Sequence, residues 1–263
     1  MNRSSQEEAV CRLLEKRGVL TTGEIAGELG CSSATARRIA GRLAENRIAR
    51  RFHGGIRRIE PDANQSIPFP LREQWFSREK RLIAETAAGL IARNSVIFIH
   101  GGSTTTWLGN LIDSGSVITN SLHLAELIRQ RFPSDEGPEV IIPGGTLDRK
   151  AGILTGTRAE RAIAGYHADA VLFSARGIDE AGILDTNDAT AGVARTMIEH
   201  AHLAVMLADH SKFRAAGMAR LVPWGAVDIL VTGACPENLP MLETIRKQGV
   251  KIITVPCEEG GAR

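Results

Sequence analysis

Hydroxyl, amide and charged groups gather in a few short segments of this 263-residue chain. His100-Gly101-Gly102-Ser103-Thr104-Thr105-Thr106 joins a glycine turn to a run of hydroxyls, a pattern that seats phosphate when backbone amides point inward. It is not a P-loop, because GxxxxGK[ST] requires a lysine that this segment lacks. Thr119-Asn120-Ser121, Pro143-Gly144-Gly145 and Asp209-His210-Ser211-Lys212-Phe213 add amides, hydroxyls and one ammonium, the groups that hold a sugar phosphate. The same acids admit a second chemistry, with Asp179 or Asp209 as general base and Lys212 as electrostatic partner.

A different chemistry belongs to the arginines near the start. Between Cys31 and Arg58 there are eight Arg and no Lys, opposed only by Glu45. Residues 1–60 hold twelve Lys and Arg against seven Asp and Glu, a net +5, which leaves −3 for the rest of a chain whose total is +2. A basic module attached to a neutral or acidic one is expected, and nucleic-acid phosphate is its natural counterpart.

The elements that must carry these groups follow from capping and period. Ser5-Gln6-Glu7-Glu8 has the form of a capping box, and Val10, Leu13 and Leu14 recur on one face until Gly18. Thr21-Thr22-Gly23-Glu24 repeats the signal for a second helix, with Ile25, Ala26 and Leu29 on its buried side and Gly30 at its end. Ser32 caps a third, whose apolar positions Ala36, Ile39, Ala40 and Leu43 leave Ser33, Ala34, Thr35, Arg37, Arg38 and Arg42 on the opposite face. That is the pattern of a recognition helix, small at its start and cationic beyond. From Ile48 to Ile59 two short strands around Gly54-Gly55 predict a wing, with Arg50, Arg51, His53, Arg57 and Arg58 directed at backbone phosphates. The expected divisions are a winged helix-turn-helix over 1–60, a Pro- and polar-rich linker over 61–76, and an α/β domain over 77–263.

In that larger part a helix opened by Ser77 carries Ile83, Ala84, Ala87, Leu90 and Ile91. Short apolar runs then alternate with helical stretches: 96–99, 117–119, 140–142, 170–173, 203–207, 229–231 and 252–255. Runs that are apolar throughout suit strands covered on both faces, hence a mostly parallel sheet flanked by helices, with ligands beyond the carboxyl ends of its strands.

Apolar residues at 43% supply ample core, and no run reaches the roughly 20 residues of a membrane helix. The opening Met1-Asn2-Arg3 has no apolar signal core, so a cytoplasmic location without membrane partners is expected. Cys11, Cys31, Cys235 and Cys257 form no CxxC pair, so buried free thiols are expected and no metal or cofactor is.

Two sets of residues resemble the DeoR family of transcription regulators. Ser32-Ser33-Ala34-Thr35-Ala36-Arg37-Arg38 and Arg51-Phe52-His53-Gly54-Gly55 are similar to its recognition helix and wing. Gly102-Ser103-Thr104-Thr105, Thr119-Asn120-Ser121, Gly144-Gly145, Gly177-Ile178-Asp179 and Asp209 to Phe213 follow the order of motifs in its sensor domain. The resemblance implies a ribose-5-phosphate isomerase-like fold and no enzymatic activity. It implies a repressor of carbohydrate catabolism whose effector is a phosphorylated sugar or related metabolite. It also implies operator DNA as partner and a homo-oligomer, dimer or tetramer. Ile39-Ala40 stands where the family has Asp-Leu, His100 where an acid is common, His210 for a Ser, and Thr190 for a Glu. The two histidines would add titrating groups at the pocket mouth unless each is a hydrogen-bonded structural residue.

Overall fold

Residues 3–45, 49–58, 69–134, 136–214 and 217–257 are described in the computed structural model of the chain. They divide into two units, one running to Trp75 and the other starting at Phe76.

The first unit opens with α1 (Arg3–Arg17), so the cap expected at Ser5 lies inside the helix. β1 (Val19–Thr21) follows, then α2 (Thr22–Leu29) and α3 (Ser33–Glu45). Thr21 and Glu24 form a reciprocal capping box, and Gly30 closes α2 in the left-handed region at φ 59°. Ser32 Oγ accepts the Thr35 N–H at 3.2 Å and starts α3. Ala36, Ile39, Ala40 and Leu43 are buried against Val10, Leu14, Leu20 and Ile25, so the apolar stripe of α3 closes the small core. β2 (Ala49–Phe52) and β3 (Gly55–Arg58) form the wing hairpin. β1 adds to β3 as a third strand that its three residues gave no period to reveal. Ile48 and Ile59, and most of the expected linker including Pro61, Asp62, Asn64, Ser66 and Pro68, lie outside the described residues. The end of that stretch is not irregular: Phe69–Gln74 forms α4, with Phe69 and Trp75 buried and the Arg58 guanidinium 5.8 Å above the Trp75 ring.

The second unit begins with α5 (Ser77–Ala88), whose N-cap is Phe76 in a left-handed conformation, φ 53°, rather than Ser77. Along the chain come β4 (Val96–Ile99), β5 (Ser116–Thr119), α6 (Leu122–Arg131), β6 (Glu139–Ile141), β7 (Thr146–Asp148), β8 (Ile153–Thr155), α7 (Thr157–Ile163) and β9 (Ala170–Phe173). Then follow β10 (Gly177–Asp179), β11 (Gly182–Asp185), α8 (Asp188–Glu199), β12 (Ala204–Ala208), β13 (Ala219–Pro223), β14 (Ile229–Ala234), α9 (Leu239–Lys247) and β15 (Lys251–Pro256). Seven strands build one sheet in the order β15-β14-β12-β9-β4-β5-β6, and every neighbouring pair is parallel. These are the seven apolar runs of the sequence. The antiparallel pair β7-β8 and the small sheet β10-β11-β13 were not anticipated.

Alternation along each strand sends side chains to opposite faces. Phe98, Val171, Phe173, Met206 and Ala208 pack on one side with Ala191, Ala194 and Met197 of α8. Ile97, Ile99, Leu172, Val205 and Leu207 pack on the other with Ile83, Ala84 and Ala87 of α5. The sheet is therefore a wall between two cores.

Cys235 and Cys257 immediately follow the paired ends of β14 and β15, and burial pushes the Cys235 thiol up to about 11, so it stays protonated and unreactive. Among the described residues no group of His, Cys, Asp and Glu suits a metal ion, and no helix is long and apolar enough to cross a membrane.

Candidate functional site

In the first unit Ser32, Ser33, Arg37 and Arg38 are exposed on one face of α3, and Thr35 is half-buried with its hydroxyl 3.1 Å from that of Ser32. Arg42 departs from the expected set. Its Nε donates to Glu7 Oε1 at 2.5 Å, tying α3 to α1. On the wing Arg50, Arg51, His53 and Arg57 are exposed, and the Arg57 guanidinium lies 5.8 Å above the Phe52 ring. The two wing glycines serve different needs. Gly54 has φ 90°, whereas a Cβ on Gly55 would stand 2.3 Å from the carbonyl oxygen of Leu20.

In the second unit the loops expected to form one rim separate into three groups. The first is scaffold. Thr119 Oγ1 donates to Ile99 O at 2.6 Å, and Ser121 Oγ caps α6 by accepting the Leu124 N–H at 3.2 Å. Asn120 accepts from Gly101 N at 2.9 Å and donates to Leu154 O at 3.0 Å, clamping the β4 loop to β8. Gly101 permits that clamp, since a Cβ there would lie 2.4 Å from Ile153 Cγ2. Gly144 and Gly145 are exposed between β6 and β7. Asp179 is likewise committed: Arg220 engages both its oxygens at 2.9 Å and the Ala181 and Gly182 amides bond to Oδ1, closing the β10-β11 turn. Arg220, more than the turn amides, holds its carboxyl below the usual range.

The second group follows β4. The hydroxyl-rich stretch begins a 3-10 helix over Thr105–Asn110, not an α-helix, and its hydroxyls turn inward. Thr105 Oγ1 donates to His100 O at 2.7 Å and Thr106 Oγ1 to Gly102 O at 2.8 Å. Gly102 and Ser103 are buried. His100 and Thr104 are buried too, and neither ring nitrogen of His100 nor Thr104 Oγ1 completes a hydrogen bond. Burial lowers the His100 pKa to about 4, only partly offset by the nearby backbone of Ser174 and Thr190. The ring is thus a neutral group inside the α8 side of the sheet and adds no charge at a pocket mouth.

The third group follows β12 and points the other way, toward α5. Asp209 is fully buried; Lys80 and Lys212 each bring an ammonium to 3.9 Å from its Oδ2, while Ser211 Oγ donates to Oδ1. Burial would raise the Asp209 pKa, but Lys212, Lys80 and the Ser211 hydroxyl outweigh it and bring it to about 2. Glu79, also without exposure, accepts the His210 N–H at 2.7 Å and lies 2.6 Å from His210 Nδ1. The carboxylate fits because position 233 is glycine, where a Cβ would sit 2.1 Å from Glu79 Oε1. The Phe76 ring meets His210 edge-on at 4.4 Å. Glu79 and Lys80 were missed in the sequence. Their signal was phase: with Ile83, Ala84 and Ala87 they share the spacing 1, 3, 1, 3 of a buried helical stripe.

A winged helix-turn-helix on one chain with a parallel α/β domain, buried charges at its strand ends, defines a one-component DNA-binding regulator. The DeoR-like helix-turn-helix domain matches residues 7–62 and the DeoR C terminal sensor domain residues 75–234; the chain belongs to the DeoR family. The glycerol-3-phosphate regulon repressor of Haemophilus influenzae is 30% identical over 96% of this chain and 97% of its own. The HTH-type transcriptional repressor GlcR of Bacillus subtilis is 30% identical over 96% of each. Among solved structures, ribose 5 phosphate isomerase A from Neisseria gonorrhoeae is matched over 55% of each chain, with 18% identity and a TM-score of 0.35.

Proposed function

We propose that the chain represses a carbohydrate-catabolic operon and leaves its operator when a phosphorylated sugar or related metabolite binds the second unit. The observation that carries this is α3, which buries Ala36, Ile39, Ala40 and Leu43 while keeping Ser33, Arg37 and Arg38 in solvent. In the proposed complex the small start of α3 (Ser32, Ser33, Thr35) approaches base edges and Arg37 and Arg38 pair with guanine or phosphate. Arg50, Arg51, His53 and Arg57 lie along the backbone. Two relatives carrying the name of repressors over nearly their whole length support this reading. So does Asp179, whose pairing with Arg220 takes it from the role of a catalytic base.

Asp209 and Lys212 are the proposed effector contacts; His100 and Thr104, with Gly101, Gly102 and Ser103 of the β4 loop, belong to the other side of the sheet and stand outside that set. The protein acts as a homo-oligomer that sets paired recognition helices on repeated half-sites, and the effector favours a conformer whose spacing no longer fits. The test is a gel shift on DNA upstream of its own and neighbouring genes, repeated across a panel of sugar phosphates. Preference for that DNA over scrambled duplex by ~10³-fold or more, lost on adding one member of the panel, is expected. Equal affinity for both duplexes overturns it.

A further inference from the structure

Two adjacent aromatic residues stand where the chain passes from one unit to the other. Trp75 ends the first unit, Phe76 begins the second, and they alone separate α4 from α5. Their side chains have different attachments. The Trp75 ring carries the Arg58 guanidinium, and Arg58 ends the wing strand β3, where its backbone N–H donates to Gly18 O at 2.7 Å. The Phe76 ring packs edge-on against His210 of the β12 loop. Both residues are buried. Phe76 is also strained: φ 53° and ψ 38° hold a bulky residue in the left-handed region, a conformation that persists only when its surroundings impose it. Among the described residues the one other non-glycine with positive φ is Asn94, a type that tolerates it.

A left-handed residue between two helices is a joint with two settings, since the same residue in the right-handed region removes the break between α4 and α5. The packing of ring 76 sets the balance between them. His210 lies between Asp209 and Lys212 in sequence, so a ligand that shifts this loop alters what holds the Phe76 ring. We propose that Trp75-Phe76 is a strained hinge that passes effector binding to the wing. Ring 76 responds to the β12 loop, the backbone at 76 leaves the left-handed region, and Trp75 carries the turn to Arg58 and β3. The proposal rests on the reading of the β12 loop as effector site, and it requires only the covalent chain to join the two units.

The test measures affinity of the full chain for its upstream duplex with and without saturating ester. The ester is whichever of glycerol 3-phosphate and a panel of pentose and hexose phosphates releases wild type most, and calorimetry reports its binding separately. Wild-type DNA affinity is expected to fall by about 10–100-fold on saturation. Phe76→Asn, which suits the left-handed region but lacks the ring, and Trp75→Leu are each expected to reduce that ratio to about 2-fold or less while still binding ester and duplex. Phe76→Gly, which removes ring and strain together, repeats the first arm should the Asn variant not fold. Phe132→Leu, an aromatic lost beside the β6 edge, should keep the wild-type ratio, because loss of an aromatic elsewhere does not touch the hinge. If folded variants at 75 and 76 release as wild type does, the hinge is overturned. A loss confined to position 76 sends the signal by a route other than Trp75 and also overturns it. If no ester releases wild type, the effector-site reading fails, and the hinge with it.

Discussion

Glu79 on α5 grips the β12 loop at two points of one residue, the backbone N–H of His210 at 2.7 Å and its Nδ1 at 2.6 Å. Burial works against a charged His210 ring, but Glu79 and then Asp209 outweigh it and raise its pKa above the usual value. A raised folded pKa gives stability that is complete below the unfolded value of about 6.5 and is lost as pH rises through the folded one. Glu79→Gln should remove that contribution. In urea unfolding, the margin of wild type over Glu79→Gln is therefore expected to be wider at pH 6 than at pH 9; an equal margin at both would count against the grip.

His100 has the opposite sign. Its folded pKa of about 4 lies below the unfolded value, so the unfolded chain takes the proton first and stability falls as pH drops from about 6.5 toward 4. The difference corresponds to roughly 3 kcal/mol across that window. His100→Gln, which does not titrate, should flatten the acid limb of a melting-temperature profile. A variant as acid-sensitive as wild type would place the effect elsewhere.

Arg37 and Arg38 stand in solvent on α3, so removing either leaves the small core intact. Each alanine variant should lower DNA affinity and, where a phosphate contact is lost, reduce the slope of log K against log salt by about 1. Binding of sugar phosphates should not change. An unaltered affinity in both variants would mean that α3 is not the reading helix.

The wing glycines give a paired comparison. Gly54→Ala forces a Cβ into a left-handed residue with open space around it, at ~1 kcal/mol. Gly55→Ala drives a Cβ into the backbone of Leu20 and Thr21 and must separate β1 from β3, at roughly 2–3 kcal/mol. Denaturation of the two proteins ranks them, and equal stabilities would contradict the close approach.

The five inner strands of the sheet were legible because both their faces are covered, which leaves Ile97 to Ile99 or Val205 to Leu207 no polar positions to break the run; the edge strands β6 and β15, partly exposed, showed shorter apolar runs. β7 and β10 have three residues each and antiparallel partners, so they offered neither length nor an apolar run. At the site, residue types were legible and directions were not. Thr119, Asn120 and Ser121 carry the groups a ligand needs, yet Thr119 spends its hydroxyl on the end of β4, Asn120 its amide on the β4 loop and β8, and Ser121 its hydroxyl on capping α6. His100 and Asp209 follow strands two apart in one sheet, but they face opposite sides of it, a distinction that depends on where each strand ends within the pleat.

Gly233 has a bearing on descent. The carboxylate of Glu79 occupies the volume that any other side chain at 233 would need. A lineage that acquires alanine there must surrender the acid on α5, and with it the hold on residue 210. Positions 79, 210 and 233 should therefore drift as a set across relatives, so that a chain lacking the glycine is one whose strand-end loop is anchored by some other means.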